Sequence, residues 1–114
     1  MHELGVVFRV IDIVKEVAAE HELSRVSKVT LELGEVSGVI EEYLHKCWKW
    51  SIKREPLMEE AALEVETIPA ITECEDCGGM FGTVENGKTC PICGSKSTFL
   101  IQGNEFNIKD IQGQ

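Results

Sequence analysis

The sequence predicts an α+β protein that carries a small module folded around a metal. Three observations lead there. Apolar residues recur at spacings of three and four near the N-terminus and again from residue 40, apolar and polar residues alternate over 28–33 and 63–68, and two Cys-x-x-Cys pairs lie in a stretch, 71–98, with little periodicity of its own. With 114 residues, 43% of them hydrophobic, the chain has room for one modest core and a satellite that needs its own stabilising device.

Taken in order, Leu4, Val7, Phe8, Ile11, Val14 and Ala18 form one face of a predicted helix running to about His21, with Glu3 in its first turn. Lys28-Val29-Thr30-Leu31-Glu32-Leu33 is a predicted half-buried strand, in which Val29, Leu31 and Leu33 face a core and Thr30 and Glu32 face outward. Gly34 and Gly38 bracket a turn. A second helix is predicted from Ile40, Tyr43, Leu44, Cys47, Trp48 and Ser51, set against a polar face, and Pro56 follows its end. Leu63–Ile68 alternates again and is closed by Pro69. After the cysteine segment, Phe99–Ile101 and Glu105–Lys109 read as strands about Gly103. The last has too few apolar partners in the cysteine segment, so it is expected to return to the first module's sheet.

Cys74, Cys77, Cys90 and Cys93 are spaced as two knuckles. Four soft thiolates in a tetrahedron suit zinc, and a shell closed by four protein ligands leaves no position for substrate, so the site is read as structural. Gly78 and Gly94 follow the second cysteine of each pair, where unobstructed backbone amides can turn toward sulfur. Iron is the rival metal, because Cys90-Pro91-Ile92-Cys93-Gly94 also resembles half of a rubredoxin site, but Phe81 and Phe99 are the only nearby rings. Dithiol exchange is weaker still.

At the other end, a second residue such as His2 is ordinarily accidental. Yet a free Met1 amine, the His2 amide and the His2 imidazole can close adjacent chelate rings on one ion, and nitrogen ligands in a planar array favour Ni(II) or Cu(II). The His2 and Glu3 amides fall among the donors that no helical carbonyl satisfies. The positive helix terminus opposes a cation while Glu3 offsets it, which gives a site able to hold a metal and release it. His21 and His45 are isolated on polar faces and are read as surface residues. Cys47 and Trp48 are read as core, and Glu59-Glu60 as a solvated turn.

The formal charge of −9, from twenty acidic and eleven basic side chains, argues against nucleic acid as a partner. Apolar runs fall far short of the roughly 18 residues that span a bilayer. No basic-then-apolar leader precedes His2 and Glu3, and the paired cysteines suit a reducing compartment, so a cytoplasmic protein without membrane association is expected. A small metal-dependent hydrolase is disfavoured by the closed cysteine shell and the absence of a clustered histidine and carboxylate set.

Together, Met1-His2-Glu3-Leu4, the turn Leu33-Gly34-Glu35-Val36-Ser37-Gly38-Val39, the cysteine knuckles and Gly103-Asn104-Glu105-Phe106-Asn107-Ile108 resemble the HypA family of nickel-insertion proteins over essentially the whole chain. The resemblance implies a three-stranded mixed sheet with two helices, from which a zinc ribbon projects. It divides the chain into a nickel-binding α+β domain, 1–70 completed by a C-terminal strand within 101–114, and a zinc-binding ribbon, 71–100. It implies a nonenzymatic carrier that binds Ni(II) through His2, with Met1 and the Glu3 backbone contributing, and holds zinc with Cys74, Cys77, Cys90 and Cys93. Its partners would be a HypB-like maturation GTPase and the [NiFe] hydrogenase large subunit, with urease as a further client and a homodimer both left open. The chain has no phosphate-binding loop, which agrees with the GTPase being another protein. Two departures stand out: Gly5 replaces a serine common after the opening motif, and no histidine follows His45, so no nickel ligand can be borrowed from the ribbon. The competing expectation is a zinc-ribbon interaction module with no nickel role.

Overall fold

The computed structural model describes residues 3–114. The order is α1 (Glu3–Glu20), β1 (Val26–Gly34), α2 (Glu41–Ile52), a 3-10 turn (Pro56–Met58), β2 (Ala62–Ile68), β3 (Ile71–Cys74), β4 (Met80–Gly82), the one-turn α3 (Thr83–Asn86), β5 (Thr98–Gln102) and β6 (Phe106–Gly113). The chain divides into two compact units. One comprises the residues up to Glu32, Val39–Glu66 and Asn107–Gln114; the other comprises Leu33–Gly38 and Thr67–Phe106.

In the first unit the sheet order is β2-β1-β6. Lys28 pairs with Glu64 at 3.3 Å and Arg25 with Glu60, so β1 and β2 advance in the same direction, as the intervening α2 crossover requires. β6 runs the other way: the Gln114 N–H donates to the Arg25 carbonyl at 2.9 Å, and the Arg25 N–H to that of Gln114 at 3.0 Å. The sheet is therefore mixed. Its core joins Val7, Val10 and Val14 of α1, Val26, Val29 and Leu31 of β1, and Leu44 and Trp48 of α2. The buried Trp48 indole N–H donates to the Ala61 carbonyl at 2.9 Å, which ties α2 to the start of β2.

Three details of the periodicity reading are corrected. Val6 and Val10 are buried on α1, whereas Leu4 and Phe8 remain 38% and 47% exposed. An amphipathic helix with apolar residues on a broad arc can bury only part of that arc, and the β-branched stripe at 6, 7, 10, 11 and 14 is the part that packs. On α2, Leu44, Trp48, Ser51 and Ile52 are buried, Cys47 is half-buried, and Tyr43 is exposed; Ile40 precedes the helix as its extended N-cap. Thr30 is buried too; it lies on β1, the central strand with a neighbour on each side.

In the second unit the order is β4-β3-β5, antiparallel throughout, with Thr72 opposite Phe81 on one side and Leu100 on the other. The 34–38 turn belongs to this unit: the Gly34 N–H donates to the Glu105 carbonyl at 2.8 Å, the Val36 N–H to that of Gly103 at 2.7 Å, and the Ala70 N–H to the Glu35 carboxylate at 2.9 Å. A Cβ at Gly34 would overlap the Gly103 backbone, which has no side chain to swing away. Gly34→Ala is expected to cost about 3 kcal/mol, the upper end of ordinary overpacking. A thermal melt within about 1 kcal/mol of wild type would show that the close approach is slack.

Candidate metal centre

Both cysteine pairs are built by one repeated turn. The Cys74 N–H donates to the Gly79 carbonyl and the Gly78 N–H to that of Cys74; the Cys90 N–H donates to the Ser95 carbonyl and the Gly94 N–H to that of Cys90, all at 2.9 Å. Gly78 and Gly94 sit at φ 73° and 75°, the left-handed region that glycine adopts at least cost. The two knuckles are joined by the Ser95 hydroxyl, which donates to the Asp76 carboxylate. Cys74 and Cys90 are buried with Phe81 in a small core, whereas Cys77 and Cys93 are exposed.

The four sulfurs converge, all within 4.8 Å of one another, with Cys74–Cys93 and Cys77–Cys90 at 3.6 Å. Tetrahedral zinc with bonds of about 2.3 Å sets sulfurs about 3.8 Å apart, close to the two 3.6 Å pairs, so the set is sized for zinc. Backbone N–H groups already aim at the sulfurs. Those of Cys93 and Ile92 outweigh burial and draw the Cys90 thiol down to about 7. The Ser95 N–H also favours a Cys93 thiolate, but crowding by Cys74, burial and the other two sulfurs push that thiol to about 12. Cys77 is likewise raised: the Gly79 N–H lowers it, while Cys90 and burial prevail. Crowded thiols oppose one another's ionisation, and a divalent cation is what lets all four bind as thiolates. Bound there, zinc would serve as a structural cross-link.

Met1 and His2, the centre of the expected nickel site, lie outside the described residues. Glu3 opens α1, and its carboxylate accepts a hydrogen bond from the Ile40 N–H at 3.2 Å. That bond supplies a cap to α2, whose own N-cap side chain supplies none. The reading of Glu3 as a backbone donor did not include this role of the side chain, and nothing in the linear spacing of 3 and 40 signals it. His21 is exposed, and the half-buried His45 lies 3.4 Å from Glu41 on its own helix; among the described residues, the metal-capable cluster is the four cysteines. Asp76 and Ser95 were also missed, although each lies within or beside a knuckle.

Residues 1–113 match the family described as hydrogenase/urease nickel incorporation, metallochaperone, HypA. The chain is 32% identical over 114 residues to a hydrogenase maturation factor HybF of Klebsiella pneumoniae, with all of both chains covered. It is 36% identical over 111 residues to a hydrogenase maturation factor HypA of Geotalea daltonii, covering 97% of each. Among solved structures, it is similar in fold to the solution structure of the Ni metallochaperone HypA from Helicobacter pylori, with a TM-score of 0.73 at 24% identity, over 99% of this chain and 97% of that one.

Proposed function

Because this chain belongs to the HypA family, we propose that it is a carrier of Ni(II) for the maturation of [NiFe] hydrogenase, with a structural zinc ion held by Cys74, Cys77, Cys90 and Cys93. The family match over 1–113 carries this reading. Nickel is the cargo, taken by the Met1 amine, the His2 amide and imidazole, and the Glu3 backbone nitrogen. The first unit is thus the nickel-binding one and the second the zinc ribbon. Glu3 adds a positioning element: its side-chain bond to Ile40 holds the first turn of α1, so the nitrogens just before it close on the ion at lower entropic cost. The partners in this reading are a HypB-like GTPase, which supplies the nucleotide chemistry this chain lacks, and the hydrogenase large subunit that receives the metal; both meet it in the cytoplasm.

The test is nickel titration of untagged protein against His2→Ala and against protein acetylated at Met1. Each change is expected to abolish stoichiometric nickel binding while leaving zinc and the far-ultraviolet circular dichroism unchanged, because each removes a nitrogen from the chelate. Full nickel stoichiometry in the acetylated protein would remove the amine from the site. Absence of nickel binding by the wild-type chain would favour an interaction module instead.

A further inference from the structure

We propose that the outer face of α2 is a docking surface for a short acidic segment of a partner protein, one that carries an apolar residue among its carboxylates. The chain has twenty acidic residues, yet none occurs from Tyr43 to Arg54, and four of its eleven basic side chains, Lys46, Lys49, Lys53 and Arg54, lie in that stretch. Tyr43, Lys46, Trp50 and Lys53 recur at spacings of three and four, with Lys53 still helical as the C-cap, so they share one face opposite the buried Leu44, Trp48 and Ile52. The four cations are exposed, and the Tyr43 and Trp50 rings are 50% and 48% exposed. The Lys46 ammonium lies over the Tyr43 ring, 5.8 Å from its centre, and the Arg54 guanidinium lies over Trp50 at 4.4 Å. Lys46 also meets Glu42 at 3.6 Å, whereas among the described residues Lys49, Lys53 and Arg54 are in no ion pair. A helix C-terminus favours cations, which accounts for basic residues in the last turn. It does not account for two rings held half in water with a cation on each.

The chemistry of the stripe selects its occupant. A guanidinium set over an indole keeps N–H groups free at its edge, where a carboxylate can take two parallel hydrogen bonds. Tyr43 and Trp50 are two turns apart, roughly 10 Å along the axis, so an apolar side chain entering between them touches both while the lysines take its acidic neighbours. The stripe is roughly 16 Å long, the span of about five extended residues. At physiological salt, screening over roughly 8 Å lets so short a segment meet the stripe apart from the chain's acids. A nucleic acid would run past it onto Glu41 and Glu42 on one side and Glu55, Glu59 and Glu60 on the other, in a chain of charge −9. A bilayer takes up the apolar face of a helix, and that of α2 is already in the core. This inference does not depend on the nickel reading.

The experiment is an NMR titration of the full, zinc-loaded, isotope-labelled chain at about 0.15 M salt with the peptide acetyl-Asp-Glu-Phe-Glu-Asp-amide. Shifts are expected in the α2 amides and the Trp50 indole N–H, saturating in roughly the millimolar range. Trp50→Ala is expected to weaken binding about fivefold. Lys49→Glu combined with Lys53→Glu is expected to weaken it about tenfold or more, and to acquire α2 shifts with acetyl-Lys-Arg-Phe-Arg-Lys-amide that the wild-type chain lacks. All three side chains are exposed, so circular dichroism and zinc content should stay at their wild-type values. No α2 shifts at roughly 10 mM peptide, equal affinity for the peptide with glycine in place of its phenylalanine, or unchanged binding by the double variant would each overturn the proposal. So would tighter binding at α2 of an oligothymidylate or of phosphatidylglycerol vesicles, which would assign the stripe to a nucleic acid or a membrane.

Discussion

Cys90→Ser is expected to take zinc content from about one per chain to well below one and to unfold the second unit while the first keeps its helices. Cys90 is buried beside Cys74 and Phe81, and those three residues form the small core around the knuckles. With so little apolar burial, metal binding must supply most of the folding energy, and structural zinc in small modules is worth about 10–16 kcal/mol at neutral pH. If four ligands share that energy equally, losing one removes roughly 2.5–4 kcal/mol. The readouts are metal analysis of protein prepared without chelators, and amide dispersion from the ribbon residues 67–106 against α1 and α2. Full zinc occupancy in the variant, or iron in the wild-type protein, would refute the closed zinc shell.

The ribbon's metal site was legible in the sequence because knuckle geometry is local: four residues fix each turn, and the spacing alone brings two sulfurs together. Its framework was less legible. β3, β4 and α3 span only three or four residues each, too short for any periodicity to emerge, and they are held by the cysteine turns and by pairs such as Thr72 with Thr83 at 2.6 Å. Both long helices and the alternating strands were readable, since each buries a repeating face. What periodicity left undetermined was which arc would be buried, as Leu4 and Phe8 show, and how much cover a central strand receives, as Thr30 shows. Both depend on neighbours far away in sequence. The Glu3–Ile40 bond belongs to the same class, a contact that exists only once α1 and α2 are packed together.

Lowering the pH from 7.5 to 6.5 is expected to weaken nickel binding about a thousandfold while zinc stays at one per chain. An unperturbed imidazole titrates at about 6.5 and an α-amine at about 7.7, so over that unit the ligating form falls about twofold for the first and sixfold for the second. Each of two amide nitrogens that must shed a proton adds about another tenfold. Protons therefore compete for every nitrogen of the chelate, and affinity is lost as pH falls. The zinc shell faces the same competition from a much deeper well. Its four thiols cost about 5 kcal/mol per pH unit against about 10–16 kcal/mol at pH 7, which leaves tight binding at 6.5. The ribbon itself helps: Cys90, drawn down to about 7 by backbone N–H groups, is largely ionised at the upper end of this range before metal arrives. Its depressed value adds stability that is fully present above the ordinary thiol value of about 9 and is lost as pH falls through about 7. Parallel titrations of the two metals on one preparation provide the check. Nickel affinity that stays flat across the interval, or zinc that departs first, would refute the division into a labile terminal site and a permanent cysteine site.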